Sequence, residues 1–176
     1  MVFVDNRVFI LYHVCTSYNF IVREIGSSTM KLMLTEKEMT DRIVACGIRP
    51  SLQRIHIYRY LCTTSAHPTA ESVYSALVTE IPTLSRTTVY NTLKLFHQHK
   101  LVETITIENE ELRYDADTSD HLHFKCNCCG HVSDVPYEET SKVYKTFARK
   151  LPAGFSLSKI QTCIWGTCAT CKAEEA

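Results

Sequence analysis

From residue 35 onward, apolar side chains recur at helical spacing, broken by residues that cap or stop helices. Thr35-x-x-Glu38 makes a capping box, Met39, Ile43 and Val44 form an apolar face, and Gly47 is a natural stop, which predicts a helix over about 35–46. Pro50 opens a second helix, in which Leu52, Ile55, Ile57, Tyr58 and Leu61 make a broad apolar stripe that ends near Thr63 and Thr64. Thr69 caps a third helix with Val73, Tyr74 and Leu77 inward, closed by Pro82; Ser85 caps a fourth with Val89, Leu93 and Phe96 inward.

The period changes after Lys100. Residues 101–107 and 112–115 are rich in branched side chains and flank the acidic turn Glu108-Asn109-Glu110-Glu111, which predicts a β-hairpin. Two consecutive helices joined by a short turn suggest helix-turn-helix, and the hairpin behind them makes that a winged helix. The pattern changes again near residues 117–120. It continues as a His-x-His strand, a cysteine knuckle, another strand, a helix from about 137 to 150, and a strand through Ile164 into a last cysteine pair. The expected fold class is therefore α+β: an N-terminal winged-helix domain over residues 31–116, then a small α/β domain over residues 117–176.

Residues 1–30 stand apart as an N-terminal extension. Val8 to Val22 is apolar and free of Asp, Glu, Lys and Arg, yet shorter than the roughly 20 residues a membrane span needs. No small-x-small cleavage site follows it, and Gly26 to Thr29 separates it from Met30. Three readings stand for it: Met30 as the true start, an apolar arm docked on the folded body, and a membrane anchor as the least favoured.

Composition narrows the partners. The 176 residues carry 19 Lys plus Arg against 19 Asp plus Glu, so a nucleic-acid face has to be local. One segment qualifies: between Glu80 and Glu103 there is no acidic residue. Arg86, Thr87, Thr88, Tyr90, Asn91 and Lys94 there are the candidate DNA-binding residues, with Arg86, Thr87, Tyr90, Asn91 and Lys94 expected on the face opposite the apolar Val89, Leu93 and Phe96. A plain amphipathic helix with a solvated face is the alternative for this segment taken alone.

Nine cysteines favour metal in a reducing, cytoplasmic setting, because four of them form the pairs Cys126/Cys129 and Cys168/Cys171. Four thiolates are the donor set of a closed structural Zn(2+) site, and Gly130 permits the turn that a knuckle needs. A redox Cys-x-x-Cys is the competing reading. Cys128 is expected to point away from the site, and Cys15, Cys46, Cys62 and Cys163 read as small apolar residues. On a strand, His121 and His123 share one face, with Leu122 and Phe124 on the other.

Over roughly residues 36–172 the chain resembles the ferric uptake regulator superfamily, and most of all its peroxide-responsive branch. The resemblance rests on Ala66-His67-Pro68-Thr69-Ala70-Glu71, Thr87-Thr88-Val89-Tyr90-Asn91-Thr92-Leu93, Ser119-Asp120-His121-Leu122-His123 leading into Cys126-x-x-Cys129-Gly130, and Gly166-x-Cys168-x-x-Cys171. It implies a homodimer that binds double-stranded DNA and represses transcription when metal is bound, with no enzymatic activity and no membrane partner. A two-fold dimer implies a palindromic operator.

The resemblance also carries the regulatory metal ligands over to His67, Asp115, His121, His123 and Asp134. Aspartate at 134, where the iron-uptake branch typically has glutamate, tilts the reading toward peroxide sensing through oxidation of His67 or His121. Histidine nitrogens with carboxylate oxygens suit Fe(2+) or Mn(2+), and four sulfurs suit Zn(2+). Lys159 and Ile160 stand where a histidine pair often precedes the last strand, so a further metal site of the iron-uptake type is not expected. Sensing of iron or another metal is the runner-up. A zinc metallohydrolase and a zinc-dependent interaction module are the readings of another class, and neither accounts for the acid-free helix and its hairpin.

Overall fold

The computed structural model describes residues 34–107, 111–136 and 140–174, without the side chains of residues 140 and 141. The N-terminal extension with Val8, Val22, Met30 and Cys15, the tip of the acidic turn, and the start of the helix expected from 137 lie outside the described residues.

The first half holds α1 (Glu36–Ala45), α2 (Leu52–Thr63), α3 (Ala70–Leu77), α4 (Arg86–Gln98), β1 (Glu103–Ile105) and β2 (Arg113–Asp115). Thr35, Thr69 and Ser85 cap their helices as the spacing predicts, and Ser51, which it did not single out, caps α2: the four hydroxyls accept from the backbone N–H groups of Glu38, Ser72, Thr88 and Arg54 respectively. Each cap satisfies a donor that the first helical turn leaves without a carbonyl partner. The start of α2 therefore shifts from the expected Pro50 to Leu52, because Ser51 takes the capping role.

The core of this half takes Met39 and Ile43 from α1, Ile57, Tyr58, Leu61 and Cys62 from α2, Val73 and Leu77 from α3, and Val89, Leu93 and Phe96 from α4. Tyr58 meets Phe96 edge-on with ring centroids 5.9 Å apart; burying a side chain of this size contributes about 1.5–3 kcal/mol. Val44 and Leu52, expected on the apolar stripes, are 53% and 63% exposed. The strands are also shorter than expected, since Leu101 and Val102 precede β1 and are buried in the helical core.

The second half holds β3 (His121–Cys126), β4 (Val132–Pro136), α5 (Thr140–Lys150), β5 (Cys163–Gly166) and α6 (Ala169–Glu174). Its sheet has the order β4-β3-β5, antiparallel between β3 and β4 and parallel between β3 and β5. A parallel pair needs a long crossover, which the segment containing α5 supplies.

A second small core joins the halves: Ile105 and Ile107 pack with Val132, and Cys163 lies against them. Beside it Lys159 pairs with Glu103, and Gln161 Nε2 donates to the Thr104 carbonyl at 2.7 Å. Lys159, which departs from the family pattern, thus bridges to the β1–β2 ribbon. No helix among the described residues is long and apolar enough to cross a membrane.

Candidate metal centres and nucleic-acid interface

The His-x-His strand folds as its pattern predicts, and register does the rest. His123 is paired with Asp134 across the antiparallel β3–β4 ladder, and His121 lies two residues away on the same face. Two further side chains come from the first half. Asp115 ends β2, and His67 sits in the loop before α3 at φ +46, a region that non-glycine residues rarely adopt. That loop is pinned to β2 by the N–H of Tyr114 donating to Pro68 O at 3.0 Å and by Arg113 Nη1 donating to His67 O at 3.2 Å.

One donor atom from each of His67, Asp115, His121, His123 and Asp134 lies within 4.8 Å of all the others. His67, Asp115 and His123 are buried. Neighbouring backbone groups select which atoms face inward. The N–H of Asp117 donates to Asp115 Oδ1 at 2.9 Å, leaving Oδ2 to the cluster. Nδ1 of His121 lies 2.9 Å from the Ser119 carbonyl, which fixes that nitrogen as the N–H and turns Nε2 inward.

Inside, two of the close contacts between imidazole and carboxylate have hydrogen-bond length without hydrogen-bond angles. His67 Nε2 is 2.6 Å from Asp134 Oδ1, and Asp115 Oδ2 is 3.0 Å from His121 Nε2, yet His67 Nε2 and Asp115 Oδ2 have no hydrogen-bonding partner among the described residues. His121 Nε2 and His123 Nε2 stand 2.9 Å apart. An unsatisfied buried polar group costs about 1–3 kcal/mol. Inward-facing donor atoms that converge on one point fit a cation at their centre, and three imidazoles with two carboxylates are a donor set for Fe(2+) or Mn(2+).

The same convergence governs protonation. Burial by itself lowers the pKa of His67 and His121, but the adjoining Asp115 and Asp134 carboxylates outweigh it and raise His67 to about 9 and His121 to about 10. Burial works to raise the two carboxylates, and contact with the imidazoles instead holds both well below the usual range. Two protons thereby supply the positive charge that a divalent ion would bring.

The four cysteines of the two pairs also meet. Cys126, Cys129, Cys168 and Cys171 place their sulfurs within 4.8 Å of one another, with Cys129 Sγ 3.8 Å from Cys168 Sγ. A disulfide would need about 2.05 Å, whereas a tetrahedron with metal–sulfur bonds of about 2.3 Å has sulfur–sulfur edges of about 3.8 Å. Gly130 turns the knuckle at φ +71. Parallel pairing of β3 with β5 aligns Cys126 with Gly166, which returns the chain end to the knuckle.

Hydrogen bonds from the backbone of Cys129 and Cys168 push the Cys126 thiol down to about 6, toward the thiolate that a metal takes. Cys128 is exposed and stands outside the four sulfurs that meet. Its influence is the largest of those that raise the Cys171 thiol above its usual range. Cys62 is buried and Cys46 and Cys163 are half-buried, consistent with packing roles.

In the first half, Arg86, Thr87, Tyr90, Asn91 and Lys94 of α4 are exposed, whereas Thr88 is half-buried and bonded at 2.8 Å to the capping Ser85 hydroxyl. Arg86 is already engaged by Glu71 of α3. Arg49, Gln53 and Arg54, which the acid-free segment did not include, line a cleft of about 470 Å³ with Thr88, Asn91 and Thr92. Arg49 comes from the α1–α2 connection and Gln53 and Arg54 from the first turn of α2, and only the packing of α2 beside α4 brings them to this face.

Comparison with known proteins places this architecture. The ferric uptake regulator family profile matches residues 45–163. The peroxide operon regulator of Bacillus subtilis is 36% identical over 139 residues, covering 79% of this chain and 94% of that protein. The chain belongs to the ferric uptake regulator family.

A further family member, the peroxide-responsive repressor of Staphylococcus epidermidis, is 34% identical over 73% of this chain and 84% of its own length. Among solved structures of the family, the ferric uptake regulator of Pseudomonas aeruginosa with manganese superposes with a TM-score of 0.60 at 25% identity, over 74% of this chain and 98% of that one. The Helicobacter pylori ferric uptake regulator shares the fold, with a TM-score of 0.61 at 20% identity over 81% of this chain and 97% of that one.

Proposed function

We propose that this chain is a metal-dependent, DNA-binding transcriptional repressor that responds to hydrogen peroxide through His67, Asp115, His121, His123 and Asp134. The observation that carries the reading is that these donors come from both halves of the chain and converge on one point. Kinship with peroxide-responsive repressors supports the choice of signal.

In this reading residues 31–116 read DNA and residues 117–176 dimerise, with Cys126, Cys129, Cys168 and Cys171 holding a structural Zn(2+) that ties the chain end to the knuckle. Fe(2+) or Mn(2+) would occupy the His/Asp site, and iron there supplies the electron that reduces peroxide. His67 and Asp115 hold the DNA-reading half against β3 and β4, so whatever fills the cluster sets the angle between the halves. In a homodimer that angle sets the spacing of two α4 helices, which must fit successive major grooves of a palindromic operator. Metal affinity and DNA affinity are then linked and raise each other equally.

Arg86, Thr87, Thr88, Tyr90, Asn91 and Lys94 would contact the operator, with Arg49 and Arg54 adding positive charge to the same face. All five titratable groups of the His/Asp cluster serve as ligands in this reading, which supports a regulator over a hydrolase. A cytoplasmic location follows from binding DNA with reduced thiols.

The test is a footprint on operator DNA. The zinc-retaining protein is expected to protect it with Mn(2+) or Fe(2+), to release it on peroxide only in the Fe(2+) form, and to show one added oxygen on a peptide carrying His67 or His121. Equal protection without added metal would sink the co-repressor model. Release that tracks a disulfide at Cys126 or Cys129, with both histidines unmodified, would move the sensor to the thiols.

A further inference from the structure

Arg86 is the first residue of α4, and it is held in an unusual way for an exposed arginine. Its Nε donates to Glu71 Oε1 at 3.1 Å and Oε2 at 2.9 Å, and its Nη2 donates to Oε1 at 2.8 Å. The Tyr74 ring lies beneath the guanidinium, 4.3 Å from its central carbon. In spite of this the Arg86 side chain keeps 60% of its surface exposed.

A guanidinium is a planar fork with five N–H donors. Glu71 occupies the side edge, which leaves the end edge, Nη1 with the second proton of Nη2, as the part that Glu71 does not engage. Two parallel donors on a rigid edge match the O6 and N7 acceptors that guanine presents in the major groove. A phosphate contact would use the arginine differently: it draws on net charge, and the Glu71 carboxylate within hydrogen-bond distance cancels much of that charge.

We propose that Arg86, buttressed by Glu71 and stacked on Tyr74, reads a guanine in the major groove of each operator half-site. Glu71 acts as a positioning residue: it fixes the plane and direction of the fork, so fewer rotamers are lost when the base is met. The assignment rests on the DNA-binding reading above and adds the base that one residue recognises.

The experiment is selection of bound duplexes from a pool with randomised half-sites, using the full-length, Mn(2+)-loaded protein with its zinc retained, beside Arg86→Ala, Arg86→Lys and Glu71→Gln. The wild type is expected to enrich guanine at one position per half-site, with a preference of about 10- to 100-fold over other bases. Arg86→Ala should lose that preference and no other. Arg86→Lys keeps the charge but not the fork, so it should lose the preference with the salt dependence unchanged; it also carries the test if another variant fails to fold. Glu71→Gln should lose most of the preference while holding or gaining affinity for unrelated duplex, a change that a purely structural tie between α3 and α4 would not produce.

Several results overturn the proposal: no enriched guanine, guanine enrichment that survives Arg86→Ala, or a preference untouched by Glu71→Gln. A uniform loss of affinity in Arg86→Ala, with the salt slope reduced by about 0.9, would make Arg86 a phosphate contact instead. If the metal-loaded wild type binds no duplex at all, the DNA-binding reading itself fails, and this proposal with it.

Discussion

Metal binding at the His/Asp cluster should be unusually sensitive to pH. With the carboxylates of Asp115 and Asp134 raising His67 to about 9 and His121 to about 10, both imidazoles carry a proton at neutral pH, and both must lose it before they can ligate. Each proton released adds one unit to the slope of log K against pH, so the Mn(2+) affinity of the zinc-retaining protein should rise roughly 100-fold between pH 7 and pH 8. Two histidines of ordinary pKa, about 6.5, would contribute less than about 2-fold over the same interval. The difference is large enough to decide the matter. A competition titration against a chelator of known pH dependence measures it, and calorimetry in two buffers of different ionisation enthalpy counts the protons directly, with about two expected per Mn(2+). Asp134→Asn removes one of the two carboxylates and should flatten the slope as well as weaken binding. A rise of less than 3-fold, or fewer than about half a proton released, would refute the account of the cluster in which protons stand in for the cation.

The same shifts predict the stability of the protein without regulatory metal. Raised histidines stabilise below their unfolded pKa of about 6.5 and lose that contribution as pH climbs toward 9 and 10, so with zinc retained the melting temperature should fall across that window and Mn(2+) should reverse the fall. The depressed carboxylates act in the other direction, contributing above the ordinary carboxylate range and losing it in acid. Cys126→Ser removes the thiol whose proton is already loosely held, and should yield a chain without zinc that is monomeric or unfolded in its second half; a stable zinc-free dimer, seen by metal analysis and sedimentation, would reject the structural role. Tyr90→Ala should weaken operator binding by about 10-fold in a titration, with Mn(2+) content unchanged, because Tyr90 is exposed on α4 and belongs to neither cluster of donors.

What could be read along the chain is what depends on spacing. A Thr or Ser three residues before a free N–H makes a cap wherever it falls, so the caps of Thr35, Thr69 and Ser85 and the starts of their helices were legible without any tertiary contact. Strand alternation likewise puts His121 and His123 on one face, and paired Cys-x-x-Cys motifs announce a four-sulfur site. Whether such elements meet depends on long-range packing that no local pattern encodes. Val44 and Leu52 continue their stripes but lie beyond the surface that α1 and α2 share with the core. His67 becomes buried only because β2 pins its loop through Tyr114 and Arg113, and the backbone there takes a conformation its residue type does not favour. Arg86 looked like a free cation in an acid-free stretch, yet the neighbouring helix brings Glu71 to it from 15 residues away. The protonation of the cluster is the clearest case: ordinary histidines and aspartates acquire pKa values far from their usual ones because folding removes water and sets opposite charges side by side, both within each half and between them.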